Sequence, residues 1–252
     1  MNITLETFLI VCPLVFLAGL IDSIAGGGGL ISLPAYFISG LPPHYAIATN
    51  KMSSSIGTLV STIRYCKNKL VNWGIAIPSI IVALIGSTIG ANLALLVDEV
   101  IMKYILLFIL PVVAYYVFRR KNFAEESSND SITKKKVYII AITASFIIGT
   151  YDGFYGPGTG TFLILIYTGL AKMDIRTASG NTKLVNLASN VAALTTFLFN
   201  GKIIFVLGIT AAAFSIAGNY IGSGLVLKNG YKIIRPIILI VLTLLFIKII
   251  LG

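Results

Sequence analysis

The sequence predicts an all-α polytopic membrane protein with about ten membrane elements in two inverted five-element repeats, with short broken helices at Gly-rich turns. Three observations carry this. First, 57% of the 252 residues are hydrophobic and only 11% are charged, against about 25% charged in a soluble domain. Second, apolar runs close to the ~20 residues that span a bilayer recur along the chain. Third, the two halves share aspartate, lysine and glycine positions at nearly one offset. The mean hydropathy of +0.94 excludes one large soluble α-domain, which could not hide this much apolar surface.

Five apolar elements precede the one long polar stretch, over about 5–25, 30–41, 45–65, 73–97 and 101–118. The first is expected to remain as a membrane element. A cleaved signal needs a basic leader, and the first lysine is Lys51. "RRKNFAEESSNDSITKKK" follows at 119–136. Five more elements are predicted over about 137–154, 161–170, 176–199, 203–227 and 233–251. The domains are therefore a first membrane repeat (1–118), a linker loop (119–136) and a second, inverted repeat (137–252).

The repeat is read from chemistry more than from apolar identity. At an offset of 130, Gly19, Asp22, Gly26 and Gly28 match Gly149, Asp152, Gly156 and Gly158. After a two-residue insertion, Lys51 matches Lys183, Asn68 matches Asn200, and Gly86 and Gly90 match Gly218 and Gly222. An odd number of elements per copy turns the second copy upside down. The positive-inside rule places the linker loop in the cytoplasm, together with Arg64, Lys67, Lys69, Lys172, Arg176, Lys228, Lys232 and Arg235. Only Lys103, Lys202 and Lys248 then face outward, and both termini lie outside. The net charge of +10 thus reports cytoplasmic loops rather than nucleic-acid binding.

Within "GLIDSIAGGGGLISLPAYF" an aspartate and four glycines interrupt an apolar run, and "GTYDGFYGPGTGTFLI" does the same in the second half. The elements behind them are too short to cross a ~30 Å hydrocarbon core. Short, Gly/Pro-interrupted segments in matching halves point to a transporter binding site. Gly26, Gly27, Gly28 and Gly29, and Gly156, Gly158 and Gly160, are read as unwound backbone leading into helix N-termini, where free N–H groups and the dipole favour an anion. Close helix packing is the alternative use of these glycines. A soluble phosphate loop is excluded, because Leu30 and Ile31 stand where a Walker lysine and serine would follow Gly29. Gly86-x-x-x-Gly90 and Gly218-x-x-x-Gly222 are read as packing motifs.

Asp22 and Asp152 are costly in a bilayer and are candidates either for proton coupling or for bracing the adjacent turns. In "ATNKMSSSIGTLVST", Asn50, Ser54, Gly57 and Ser61 fall on one helical face; Thr182, Asn186, Ser189 and Ala193 occupy it in the other copy. Thr58 and Asn190 lie on the adjacent stripe. Lys51 and Lys183 head these stripes and would either draw in an anion or snorkel to the headgroups. One histidine and two lone cysteines, Cys12 and Cys66, argue against a metal centre, a disulfide framework or an intramembrane enzyme.

"GLIDSIAGGGGLISLPA", "ATNKMSSSIGT", "DGFYGPGTGTF" and "ASGNTKLVNLASN" together resemble the TauE/SafE sulfite exporter family, also called the toluene sulfonate uptake permease family. The resemblance implies a membrane transporter of sulfite, thiosulfate, organosulfonates or other small anions. It implies a site built from the turn at 22–29, Asn50 and Lys51, the turn at 152–160, and Asn181 with Lys183. The function expected is gradient-driven secondary transport of a small, sulfur-containing anion across the cell membrane. An anion channel and a carrier of a small carboxylate are the alternatives. The expected partners are the anion and the lipid bilayer, with a homodimer left open; no cofactor, metal or nucleic acid is expected.

Overall fold

The computed structural model describes residues 3–98, 100, 101, 104, 132–229, 232, 233, 236 and 237. Among them the chain is all helical, with eight α-helices. These are α1 (Leu5–Ala25), α2 (Gly29–Ile38), α3 (Pro43–Lys67), α4 (Trp73–Leu96), α5 (Lys134–Phe154), α6 (Thr159–Gly169), α7 (Ile175–Phe199) and α8 (Phe205–Asn229). The predicted fifth and tenth elements, over 101–118 and 233–251, fall mostly outside the described residues, as does most of the linker loop. Lys134, Lys135 and Lys136, assigned to that loop from sequence, instead form the first turn of α5.

The short elements are as short as the sequence indicates. α2 has 10 residues and α6 has 11, which at about 1.5 Å per residue is half a hydrocarbon core. The unwound backbone is narrower than expected. Gly29 opens α2, and Gly160 lies within α6, leaving 26–28 and 155–158 outside helix. α1 ends because Gly26 takes the left-handed conformation (φ 75°) and donates its N–H to the Asp22 carbonyl at 2.8 Å. Backbone conformations recur 132 positions apart: positive φ occurs at Gly40 and Lys172, and again at Lys69 and Gly201.

Four helices, α1, α4, α5 and α8, are long and apolar enough to cross a membrane. They pack in two pairs, α1 along α8 and α4 along α5. Glycines let each pair close. Gly86 and Gly90 lie against the backbone of α5 near Phe146 and Thr150, and Gly218 and Gly222 lie against α1 at Phe16 and Leu20. Both predicted packing motifs are thus at helix crossings. Outward faces carry Ile77, Ile81 and Ile85 of α4 and Val206 and Ile209 of α8, all exposed and suited to lipid. The polar helices α3 and α7 contact each other and are wrapped by the apolar pairs. Their buried faces hold Asn50, Lys51, Ser53 and Thr58, and Asn181, Thr182, Lys183 and Asn190. This sorting follows from solvent: hydrocarbon offers no hydrogen bonds, so polar side chains turn into the bundle.

Candidate functional site

The two Gly-rich turns meet. Gly26 lies directly against Gly160, and the Gly26 carbonyl accepts the Thr161 N–H at 3.3 Å. The Thr161 hydroxyl also donates to the Ala25 carbonyl at 2.8 Å. A side chain at either glycine would fall on the facing backbone, so only glycine allows this approach.

Beside this junction lie two buried ion pairs, and each joins opposite halves of the chain. Lys51 Nζ is 2.8 Å from Asp152 Oδ2, with side chains 2% and 3% exposed. Lys183 Nζ is 2.8 Å from Asp22 Oδ2, with side chains 1% and 15% exposed. Lys51 also donates to Asn190 Oδ1 at 3.0 Å, and Lys183 donates to the main-chain carbonyl of Asp22. Neither lysine snorkels; both are neutralised inside the bundle.

A cavity opens between these elements, with an empty volume of about 480 Å³ including the solvent at its mouth. Many predicted site residues line it. The first turn contributes Asp22, Gly26, Gly28 and Gly29; α3 contributes Asn50, Lys51 and Ser54; the second half contributes Asp152, Gly156 and Asn186. Five predicted residues are not on its wall. Gly27 lies in the turn and accepts the Leu30 N–H. Gly158 (φ 83°) is the N-cap of α6. Gly160 packs on Gly26. Asn181 accepts the N–H of Asn72 at 2.9 Å, which pins the turn between α3 and α4. Lys183 lies behind Asp22.

Ser215 and Asn219 of α8 line the cavity and were not singled out from sequence. They are one helical turn apart and continue to Ser223 as a polar stripe on α8, and that spacing was the available signal. Asn219 accepts from Ser61 at 2.9 Å, tying α8 to α3.

The two helix N-termini differ in what they offer. At α6, the Thr161 N–H is occupied by Gly26 and the Thr159 hydroxyl reaches Asp152. At α2, Gly28 and Gly29 face the cavity, and among the described residues their N–H groups have no hydrogen-bond acceptor. The cavity therefore combines the positive end of a short helix with the Lys51 ammonium and amide and hydroxyl donors from Asn50 and Ser54. With two lysines against two aspartates, its fixed charge is balanced.

Four membrane-spanning candidates around a buried, charge-lined cavity define a multi-pass membrane protein with an interior polar site. The family model described as Sulfite exporter TauE/SafE matches residues 11–249, and the chain belongs to that family of membrane transporters. It is 36% identical to "Probable membrane transporter protein ORF9" of Sinorhizobium sp over 226 residues, covering 90% of this chain and 85% of that protein. It is 35% identical to "Probable membrane transporter protein YfcA" of Escherichia coli (strain K12) over 227 residues, covering 89% and 82%. A "Probable membrane transporter protein" of Haemophilus influenzae is 32% identical over 244 residues, covering 95% and 93%. No solved structure matches the chain.

Proposed function

We propose that the chain is a gradient-driven secondary transporter of a small, sulfur-containing anion such as sulfite, thiosulfate or an organosulfonate. The observation that carries this reading is the open N-terminus of α2 facing a cavity shared with Lys51. Main-chain N–H groups at a helix start bind an oxyanion without a fixed countercharge. The family's description supplies the sulfur oxyanion. The contact of the turns at Gly26 and Gly160 beside the cavity supports a carrier over an open channel.

On this reading ten elements form two inverted repeats, 1–118 and 134–252, joined by a cytoplasmic loop at 119–133. α1 then enters from outside and α5 from inside, and turns that touch each other lie at the same depth, near the midplane. A cysteine at Ser128, in a background lacking Cys12 and Cys66, is expected to react with an impermeant maleimide only in permeabilised cells. Labelling of intact cells would invert the orientation.

The transport reading is tested with purified protein in liposomes and [³⁵S]sulfite, [³⁵S]thiosulfate and a simple sulfonate. Saturable uptake that follows an imposed gradient is expected. Asn50→Ala should remove a hydrogen bond to a charged ligand, about 1.5–3 kcal/mol, and so raise KM by roughly ten- to a hundredfold. Non-saturating flux would indicate a channel, and uptake only of a small carboxylate would reassign the substrate.

A further inference from the structure

We infer that Asp22, and not its counterpart Asp152, is the carboxylate that binds a coupling proton. This rests on the transporter reading above. The two aspartates occupy matching positions in the halves, but their surroundings differ. Asp152 has both oxygens engaged. Oδ2 takes Lys51 at 2.8 Å and the Ser189 hydroxyl at 2.6 Å; Oδ1 takes the Thr159 hydroxyl at 2.8 Å. Each hydroxyl also has a carbonyl nearby, Asn186 for Ser189 and Gly156 for Thr159. Its single proton goes to the charged acceptor, which makes the stronger bond.

Asp22 receives Lys183 at 2.8 Å and Thr58 at 3.3 Å, both on Oδ2. Among the described residues nothing donates to its Oδ1, and the side chain lines the cavity. The cause is legible in the sequence. Position 29 is glycine where position 159 is threonine, and position 57 is glycine where position 189 is serine. The first half lacks both hydroxyls that saturate the carboxylate in the second.

The charged and titratable groups around Asp22 are few. Lys183 comes from α7, Lys51 and Tyr65 from α3, Asp152 from α5, and Tyr155 from the turn before α6. Tyr65 is committed to the Ser23 carbonyl at 2.7 Å. α8 brings only the neutral Ser215 and Asn219 to the cavity, and α2 only glycines and Ser32. The charge count then sets the stoichiometry. Two lysines balance two aspartates, so a monovalent anion entering alone leaves one uncompensated charge in a low-dielectric site. A proton delivered from the bulk solution through the cavity onto Asp22 Oδ1 restores neutrality. Lys183 stays in place because it also donates to the Asp22 main-chain carbonyl.

Two measurements decide this. In infrared difference spectra of the reconstituted protein, a protonated-carboxyl C=O band is expected to appear when sulfite or a simple sulfonate is added. It should vanish in Asp22→Asn and move in Asp22→Glu. An anion-dependent band that survives Asp22→Asn, or no such band in the wild type, overturns the inference. In liposomes with [³⁵S]hydrogensulfite or a labelled monovalent sulfonate, one proton per anion gives up to about tenfold accumulation per pH unit of gradient. For Asp22→Asn the ratio of uptake with and without the proton gradient should fall to one. Stimulation of the wild type by a sodium gradient in place of a proton gradient would also overturn it. Failure of the wild type to move either anion would defeat the transport reading, while the infrared result would still decide the proton site.

Discussion

Asp152→Asn is expected to destabilise the purified protein by about 3–5 kcal/mol, the cost of leaving a buried charge without its partner. Lys51 is 2% exposed, and among the described residues it touches no second carboxylate that could replace Asp152. Lys51→Met should cost a similar amount by stranding the carboxylate. The double variant Lys51→Met/Asp152→Leu should recover most of the loss, because removing both charges removes both desolvation penalties. Ser189 and Thr159 would keep acceptors in the Asn186 and Gly156 carbonyls. Thermal unfolding in detergent reads this. A loss below about 1 kcal/mol for Asp152→Asn would mean that the pair behaves as a solvated surface bridge.

Gly26→Ala should be nearly as damaging, for two separable reasons. Its φ of 75° is a left-handed conformation, which costs an L side chain about 1–2 kcal/mol. The added methyl would also fall on the Gly160 backbone, and overpacking costs typically about 1–3 kcal/mol more. Gly40 separates the two effects. It has φ 86° but open space around its Cα, so Gly40→Ala should show the conformational cost alone. Gly160→Ala, in helical backbone facing Gly26, should show the contact cost alone. Both junction variants should lose transport, since the turns that carry Asp22 and Asp152 would be pushed apart. Equal unfolding temperatures for Gly26→Ala and Gly40→Ala would show that the junction yields freely.

Asp22, Asp152 and the glycines behind them announce themselves because each breaks an apolar run, and hydrocarbon tolerates such a break only inside the protein. The polar stripe of α3 is equally plain: Asn50, Ser54, Gly57 and Ser61 recur at helical spacing, and Asn50 and Ser54 both reach the cavity. Composition and periodicity thus determined the helices, the short broken pair, the inward faces and the residues around which a site could form.

Only the tertiary structure decided how those residues meet. Lys183 pairs with Asp22 from 161 positions away, and Lys51 pairs with Asp152 rather than with the aspartate of its own half. A sequence pattern states that a buried charge needs a partner, but partnering depends on which helices pack, and α3 and α7 each reach across the molecule. The same holds for Asn181, which reads as a site residue yet braces a turn. Ser215 and Asn219 reach the cavity because α8 packs on both α1 and α3. The unequal capping of Asp22 and Asp152 has its origin in Gly29, Gly57, Thr159 and Ser189. It becomes visible only when those four positions are brought against the carboxylates, because a hydroxyl acts over hydrogen-bond distance and not over sequence distance.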